Sequence, residues 1–231
     1  MDSLTTASSS TVSRWILASI ALCACAAIGS VLNEQWGWFM LLKPLTTILV
    51  IGLFVWRSIG LSRRESPIAL IALFACLLGD ALLLKNDYFV FGLAAFFVAH
   101  LCFIVSFISL RGNQLKPKVL GISLLICGAY YSILYPKLGA LLVPVAAYLL
   151  IIVIMMAQAI GMALNAKGHQ GAAEWQIAIG ALLFGVSDSV IALNKFLVPF
   201  DWSALVVLSL YWLAISLLAF ALPTLIAQSK R

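Results

Sequence analysis

Apolar runs about as long as a bilayer is thick follow one another along the whole chain, broken only by short polar stretches. Windows of about 20 residues place eight of them near residues 14–33, 38–57, 67–85, 88–110, 118–135, 138–164, 174–194 and 202–227. The breaks between runs are too short to hold a soluble domain. The pattern therefore predicts an all-α fold, a polytopic integral membrane protein in which residues 1–231 form one bundle of eight transmembrane helices. The Ser/Thr-rich residues 1–13 precede the first run and read as a disordered tail.

Charge gives this series of helices an orientation. With the odd-numbered connections on the other side, Arg14, Arg57, Arg63, Arg64, Arg111, Lys116, Lys118, Lys167, Lys230 and Arg231 fall on one side. Only Lys43, Lys85, Lys137 and Lys195 fall on the opposite one. By the positive-inside rule both termini are expected in the cytoplasm. Composition agrees with the membrane reading: 64% hydrophobic, 10% charged, mean hydropathy +1.13. The net charge of +6 is then a topology signal, available to anionic lipid heads, and not a nucleic-acid footprint. All five cysteines fall inside the runs, where they act as small apolar residues, so no disulfide framework or CxxC metal site follows. The first run ends in "ACAAIGS", small residues of the kind signal peptidases cut, but a single positive charge ahead of it argues against cleavage.

Against this apolar background the few polar residues stand out. Asp188 interrupts "LLFGVSDSVIAL" and Asp80 interrupts "LLGDALLL". A carboxylate at mid-helix costs roughly 2.5–3.5 kcal/mol on insertion scales, so each needs a partner, a wet pocket or a chemical role. The third and seventh runs point outward and the second inward, and at about 1.5 Å per residue Lys43, Asp80 and Asp188 lie within roughly 6–9 Å of the same outer boundary. His100 lies deeper, near the midplane. Ala181, Gly185 and Ala192 share a stripe with Asp188, and Ala69, Ala72, Cys76 and Gly79 one beside Asp80, marking faces where helices approach closely. The two Asp segments also resemble each other, as two duplicated four-helix halves would.

Each residue has a plain and a chemical reading. Asp80 and Asp188 each belong to a structural ion pair or a hydrogen-bonded packing device, or together they are an acid–base pair in which one carboxyl stays protonated while the other stays ionised. Lys43 snorkels to the headgroups, or it holds a lipid phosphate or neutralises an aspartate. His100, flanked by Phe96, Phe97, Phe103 and Ile104, is a core histidine or part of the site. Glu34 and Asn194 lie at the outer rim within reach of the layer. Trp36, Trp38 and Trp202 sit at run edges like an interfacial belt. With only two histidines, and His169 on the far side, a three-His zinc site is impossible. Ser187 and Ser189 flank Asp188, but no "GxSxG" elbow accompanies them.

"KPLTT" at 43–47, "LLGDALLL" at 77–84, "GLAAFFVAH" at 92–100 and "GALLFGVSDSVIAL" at 180–193, in this order and spacing, resemble the YhhN family of membrane lysoplasmalogenases. The resemblance implies an eight-helix membrane hydrolase that cleaves the vinyl ether bond of lysoplasmalogens to a fatty aldehyde and a glycerophospho-alcohol. The matching positions are Lys43, Asp80, His100 and Asp188, and Asp80 and Asp188 would be catalytic. Near the last run, "YWLAIS" keeps the family's Tyr211 and Ala214 but has Ile215 where the family tends to have Gln. Lys43, His100, Asn194 and Tyr211 are thus the candidate supporting or substrate-binding residues. Vinyl ethers hydrolyse by protonation of the β-carbon and capture of the oxocarbenium ion by water, work suited to two carboxyls and needing no metal or organic cofactor. The substrate partner would be a lysophospholipid within membrane lipid. Two other classes remain: a transporter or proton-coupled carrier using the same carboxylates, and an intramembrane aspartyl protease. The protease's GxGD block is broken here by Leu77.

Overall fold

The computed structural model describes residues 2–61, 66–166 and 171–229. Arg63, Arg64, Lys167, His169, Lys230 and Arg231, which enter the charge and metal arguments above, lie outside the described residues. Eight α-helices are described: α1 (Asp2–Leu32), α2 (Trp36–Ser58), α3 (Ser66–Leu82), α4 (Phe89–Arg111), α5 (Pro117–Leu138), α6 (Leu142–Asn165), α7 (Ala172–Phe196) and α8 (Ser203–Gln228). The one large departure from the expected runs is at the start. Helix α1 begins at Asp2 and takes in residues expected to be a disordered tail.

Six continuous helical segments among the described residues are long and apolar enough to cross a membrane. One of them, Pro117–Asn165, runs for 49 residues and contains both α5 and α6, which fold back on each other through a 3-10 turn at Gly139–Leu141. Helix α3 is the short one, 17 residues. This is a helical membrane protein.

Buried positions recur at helical spacing and set which faces meet. On α3 they are Ala69, Ala72, Leu73, Cys76 and Asp80; on α7, Ile177, Ala181, Phe184 and Asp188. Helices α2, α3, α4, α6, α7 and α8 pack each on the next, and α8 closes the ring on α2. Helix α1 leans on this ring against α2 and α8, and α5 leans on it against α6 and, more lightly, α7. The buried residues of α5 are Leu134 and Leu138, at its last turn, so this helix is held mainly at one end. Large apolar side chains such as Leu22, Ile71, Leu125 and Val143 face outward, as lipid contact requires.

Close approach in the ring depends on small residues. A Cβ on Gly79 would stand 2.6 Å from the Phe96 ring, so glycine lets α4 lay that ring directly on α3 beside Asp80. At the opposite end Gly161 lets the chain after α4 touch α6, because a Cβ there would collide with the Gln114 carbonyl oxygen. There Gln158 Nε2 donates to the Gly112 carbonyl, while the Gln114 amide donates to Gln158 Oε1. Arg111 joins Glu174 of α7 and Gln228 of α8.

Candidate active site

The two aspartates are both buried, on facing elements of the ring, and each gathers its own donors. Asp80 on α3 receives Thr47 Oγ1 at 2.6 Å and the Tyr211 hydroxyl at 2.7 Å, both on Oδ2. Its Oδ1 lies 3.7 Å from Lys43 Nζ. Trp212 Nε1 donates in turn to Thr47 Oγ1 at 3.3 Å. Every donor here comes from α2 or α8. An acceptor-only carboxylate with an ammonium and two hydroxyls around it has its lone pairs well occupied.

Asp188 on α7 receives the Tyr148 hydroxyl at 2.7 Å and meets His100 Nε2 at 2.9 Å, again both on one oxygen, Oδ2. The Tyr148 hydroxyl is also 3.3 Å from His100 Nε2. His100 Nδ1 is buried and has no partner. Nε2 is thus the ring nitrogen that meets both Asp188 and the Tyr148 hydroxyl. Asp188 Oδ1 takes no hydrogen bond among the described residues.

That free oxygen belongs to the carboxylate that reaches open space. Asp188 lines a narrow cleft whose walls include Phe89, Leu93, Phe96, Val145, Leu149 and Phe196. Apart from Asp188, its one polar lining residue is Tyr148. From Phe196 at the end of α7 the cleft descends to Asp188, a helical rise of about 12 Å. Asp80 is not among the lining residues. Between the two clusters stand Phe96, Phe184 and Tyr211, each edge-on to the others with centroids 5.4–6.0 Å apart. The buried thiol of Cys76 lies within electrostatic reach of both carboxylates.

The sequence-expected residues are thus sorted by geometry. Lys43 is not at a rim among headgroups: it is 7% exposed, and Pro44 beside it lies well inside α2 and not at a helix start. Of its two chemical readings the geometry matches the pairing with an aspartate. His100, expected deeper than the carboxylates, bonds one of them directly, because its ring reaches up from α4 past Phe184, 4.5 Å away. Asn194 is not brought to either carboxylate. Its Oδ1 accepts from the Phe200 amide and ties the α7–α8 connection. Glu34 is exposed in the α1–α2 turn. Ser187 and Ser189 donate to the carbonyls of Val207 and Gly185, which occupies both hydroxyls.

Thr47, Tyr148 and Cys76 were missed as parts of the site. Thr47 had a signal, since it follows Lys43 by one helical turn inside "KPLTT". Tyr148 is a single phenol in an apolar run, which sequence alone reads as packing.

The two clusters also answer each other across the ring. Asp80 on the third helix takes donors from the second helix of its own half and the last helix of the other; Asp188 on the seventh takes them from the sixth and the fourth. Under an exchange of α1–α4 with α5–α8 each set maps onto the other.

The family model for YhhN matches residues 38–222, a span that holds every residue of both clusters. The chain belongs to the YhhN family. Relatives include Lysoplasmalogenase TMEM86B of Homo sapiens, 32% identical over 204 residues, which are 88% of this chain and 84% of that protein. The TMEM86B lysoplasmalogenase of Rattus norvegicus is 31% identical over 204 residues, 88% of this chain and 81% of its own. Lysoplasmalogenase TMEM86A of Bos taurus is 36% identical over 146 residues, 62% and 59% of the two chains. No solved structure matches the chain. The YhhN match begins within α2, leaving outside it α1, the helix that leans on the ring from one side.

Proposed function

We propose that this YhhN protein hydrolyses the vinyl ether bond of a lysoplasmalogen, with Asp188 acting first as acid and then as base. The observation that carries the reading is one carboxylate at the floor of an apolar cleft, with Oδ2 doubly bonded and Oδ1 free, in a chain whose relatives are named lysoplasmalogenases. Asp188 lines the cleft and meets a hydroxyl and an imidazole there, whereas Asp80 is paired with Lys43 away from it, so Asp188 is the carboxyl placed to hand a proton to a bound substrate.

The proton on Asp188 Oδ1 goes to the β-carbon of the vinyl ether, and the α-carbon and ether oxygen share the resulting positive charge. The carboxylate left behind balances that charge and takes a proton from the water that attacks the α-carbon. That proton restores Asp188 to its starting form, and the hemiacetal then parts, its hydroxyl proton passing to the departing glycerol oxygen, into fatty aldehyde and the freed glycerol hydroxyl. His100 and Tyr148 fix Oδ2 so that Oδ1 keeps facing the cleft. Asp80, with Lys43 and Thr47, holds Tyr211 and through it Phe96, which lines the cleft, and Phe184 behind it. Acid–base help of this kind is worth about 10²–10⁴-fold in rate.

The same reading has eight helices crossing the membrane with both termini in the cytoplasm, so that the cleft mouth opens to the outer side. The test is aldehyde release by purified protein from vinyl ether, alkyl ether and ester lysophospholipids. Aldehyde is expected from the vinyl ether alone. No aldehyde from any of them, together with solute or proton flux in proteoliposomes, would replace the hydrolase with a carrier.

A further inference from the structure

A lysophospholipid with its vinyl ether at Asp188 must put its phosphate somewhere, and no cation inside the cleft receives it. Lys43 is buried and engaged by Asp80, and the lining residues other than Asp188 and Tyr148 are apolar. We infer that Lys195 at the cleft mouth binds the phosphate of the substrate, an inference that rests on the vinyl ether reading of the cleft.

Three observations converge on this residue. Lys195 is exposed and makes no ion pair among the described residues, yet its Nζ is held 5.0 Å from the centroid of Phe89. Phe89 and Phe196 both line the cleft and meet edge-on with centroids 6.0 Å apart, so the ammonium stands over an aromatic pair that forms part of the cleft wall. Lys195 also follows Asp188 by seven residues on α7. Seven residues rise about 10.5 Å and return to within roughly 20° of the same azimuth, so the two groups lie one above the other on a single face.

The substrate supplies a matching length. From the β-carbon of the vinyl ether to phosphorus, through the ether oxygen and the glycerol carbons, there are seven bonds. At roughly 1.2 Å per bond, the reach of an extended chain, they span about 8 Å, and a hydrogen-bond length at the phosphate end fills the remainder. A lysine suits this task, since it meets phosphate as a mobile point charge without demanding one orientation. Its partial hold on an aromatic face costs little to exchange for an anion.

The phosphate could equally be that of a bulk phospholipid touching the rim, and measurement in phospholipid-free detergent separates the two. Binding of a non-cleavable alkyl ether lysophospholipid is compared with that of the alkylglycerol lacking phosphate, by ligand-dependent thermal shift. Lys195→Ala should weaken the alkyl ether lysophospholipid about tenfold and leave the alkylglycerol unchanged, while Lys195→Arg stays within about threefold of wild type. Lys118→Ala, an exposed charge at the opposite end of α5 from the turn that packs beside the cleft, should change neither. In turnover of vinyl ether substrate, Lys195→Ala should raise KM about tenfold and keep kcat within about twofold. Equal lysophospholipid affinity in wild type and Lys195→Ala overturns the anchor even if aldehyde is released. Lys195-dependent binding without aldehyde from any lysolipid keeps the anchor and removes the hydrolase.

Discussion

Asp80→Asn keeps the shape of a side chain and deletes its charge, which isolates what the Lys43–Asp80 pair does. The amide oxygen can still accept from Thr47 and Tyr211, so the amide NH2 is turned toward Lys43 Nζ, which in the native protein lies 3.7 Å from a carboxylate oxygen. Donor then faces donor, and a buried ammonium has lost its counter-charge. Removing one partner of a buried pair typically costs about 3–5 kcal/mol, against about 0–1 for an exposed one. At about 2–4 °C per kcal/mol for a chain of this size, Asp80→Asn should melt roughly 6–20 °C below wild type. Replacing both partners, Lys43→Met with Asp80→Asn, removes the stranded charge and should recover most of that loss. The assay is a double-mutant cycle on detergent-purified protein, melted by tryptophan fluorescence. An Asp80→Asn variant melting within about 2 °C of wild type, or a double variant no more stable than the single one, would refute the pair as drawn.

Asp188→Asn should behave in the opposite way: no lysine or arginine pairs with it among the described residues, so the protein should melt near wild type while kcat for vinyl ether hydrolysis falls by at least about 10²-fold, read as aldehyde per minute. Tyr148→Phe removes one hydrogen bond to the acting carboxyl and should lower kcat about 10- to 100-fold with KM little changed. Gly161→Ala drives a methyl into the Gln114 carbonyl and should destabilise by about 1–3 kcal/mol in denaturant melts without altering KM. Tags at either terminus should resist protease added outside intact cells, and cleavage of either one would reverse the orientation.

Helix positions were legible because each apolar run is bounded by charges or turns: α2 through α8 start and stop within a few residues of the expected runs. The shared burial of Asp80 and Asp188 was legible from small-residue stripes, which report helix contact whatever the neighbour is. Partners were harder. Periodicity gives the face a residue is on but not which helix faces it, so the exchange of donors between halves had no trace beyond the likeness of the two Asp segments. Of the readings of Lys43 the snorkelling one fails: it rests on proline after lysine, which usually marks a helix start. Here α2 already began at Trp36, and the lysine points inward with Thr47 one turn on. Asn194 misled by depth alone, since a rim position serves a turn as readily as a site.

The crossed donor pattern also has a meaning in time, because the helices are made in order. When α3 enters the membrane, Lys43 and Thr47 on α2 already exist, so the first carboxylate can be neutralised within the α2–α3 hairpin; only Tyr211 comes later, from the final helix. When α7 enters, His100 and Tyr148 are both waiting, and the second carboxylate finds its full set at once. Each aspartate therefore crosses the apolar layer after a partner for it has been synthesised, and the roughly 2.5–3.5 kcal/mol penalty of a lone carboxylate need not be borne unpaired. With the helices made in the reverse order Asp188 would enter second, before either Tyr148 on α6 or His100 on α4, and would meet the lipid with neither partner yet made.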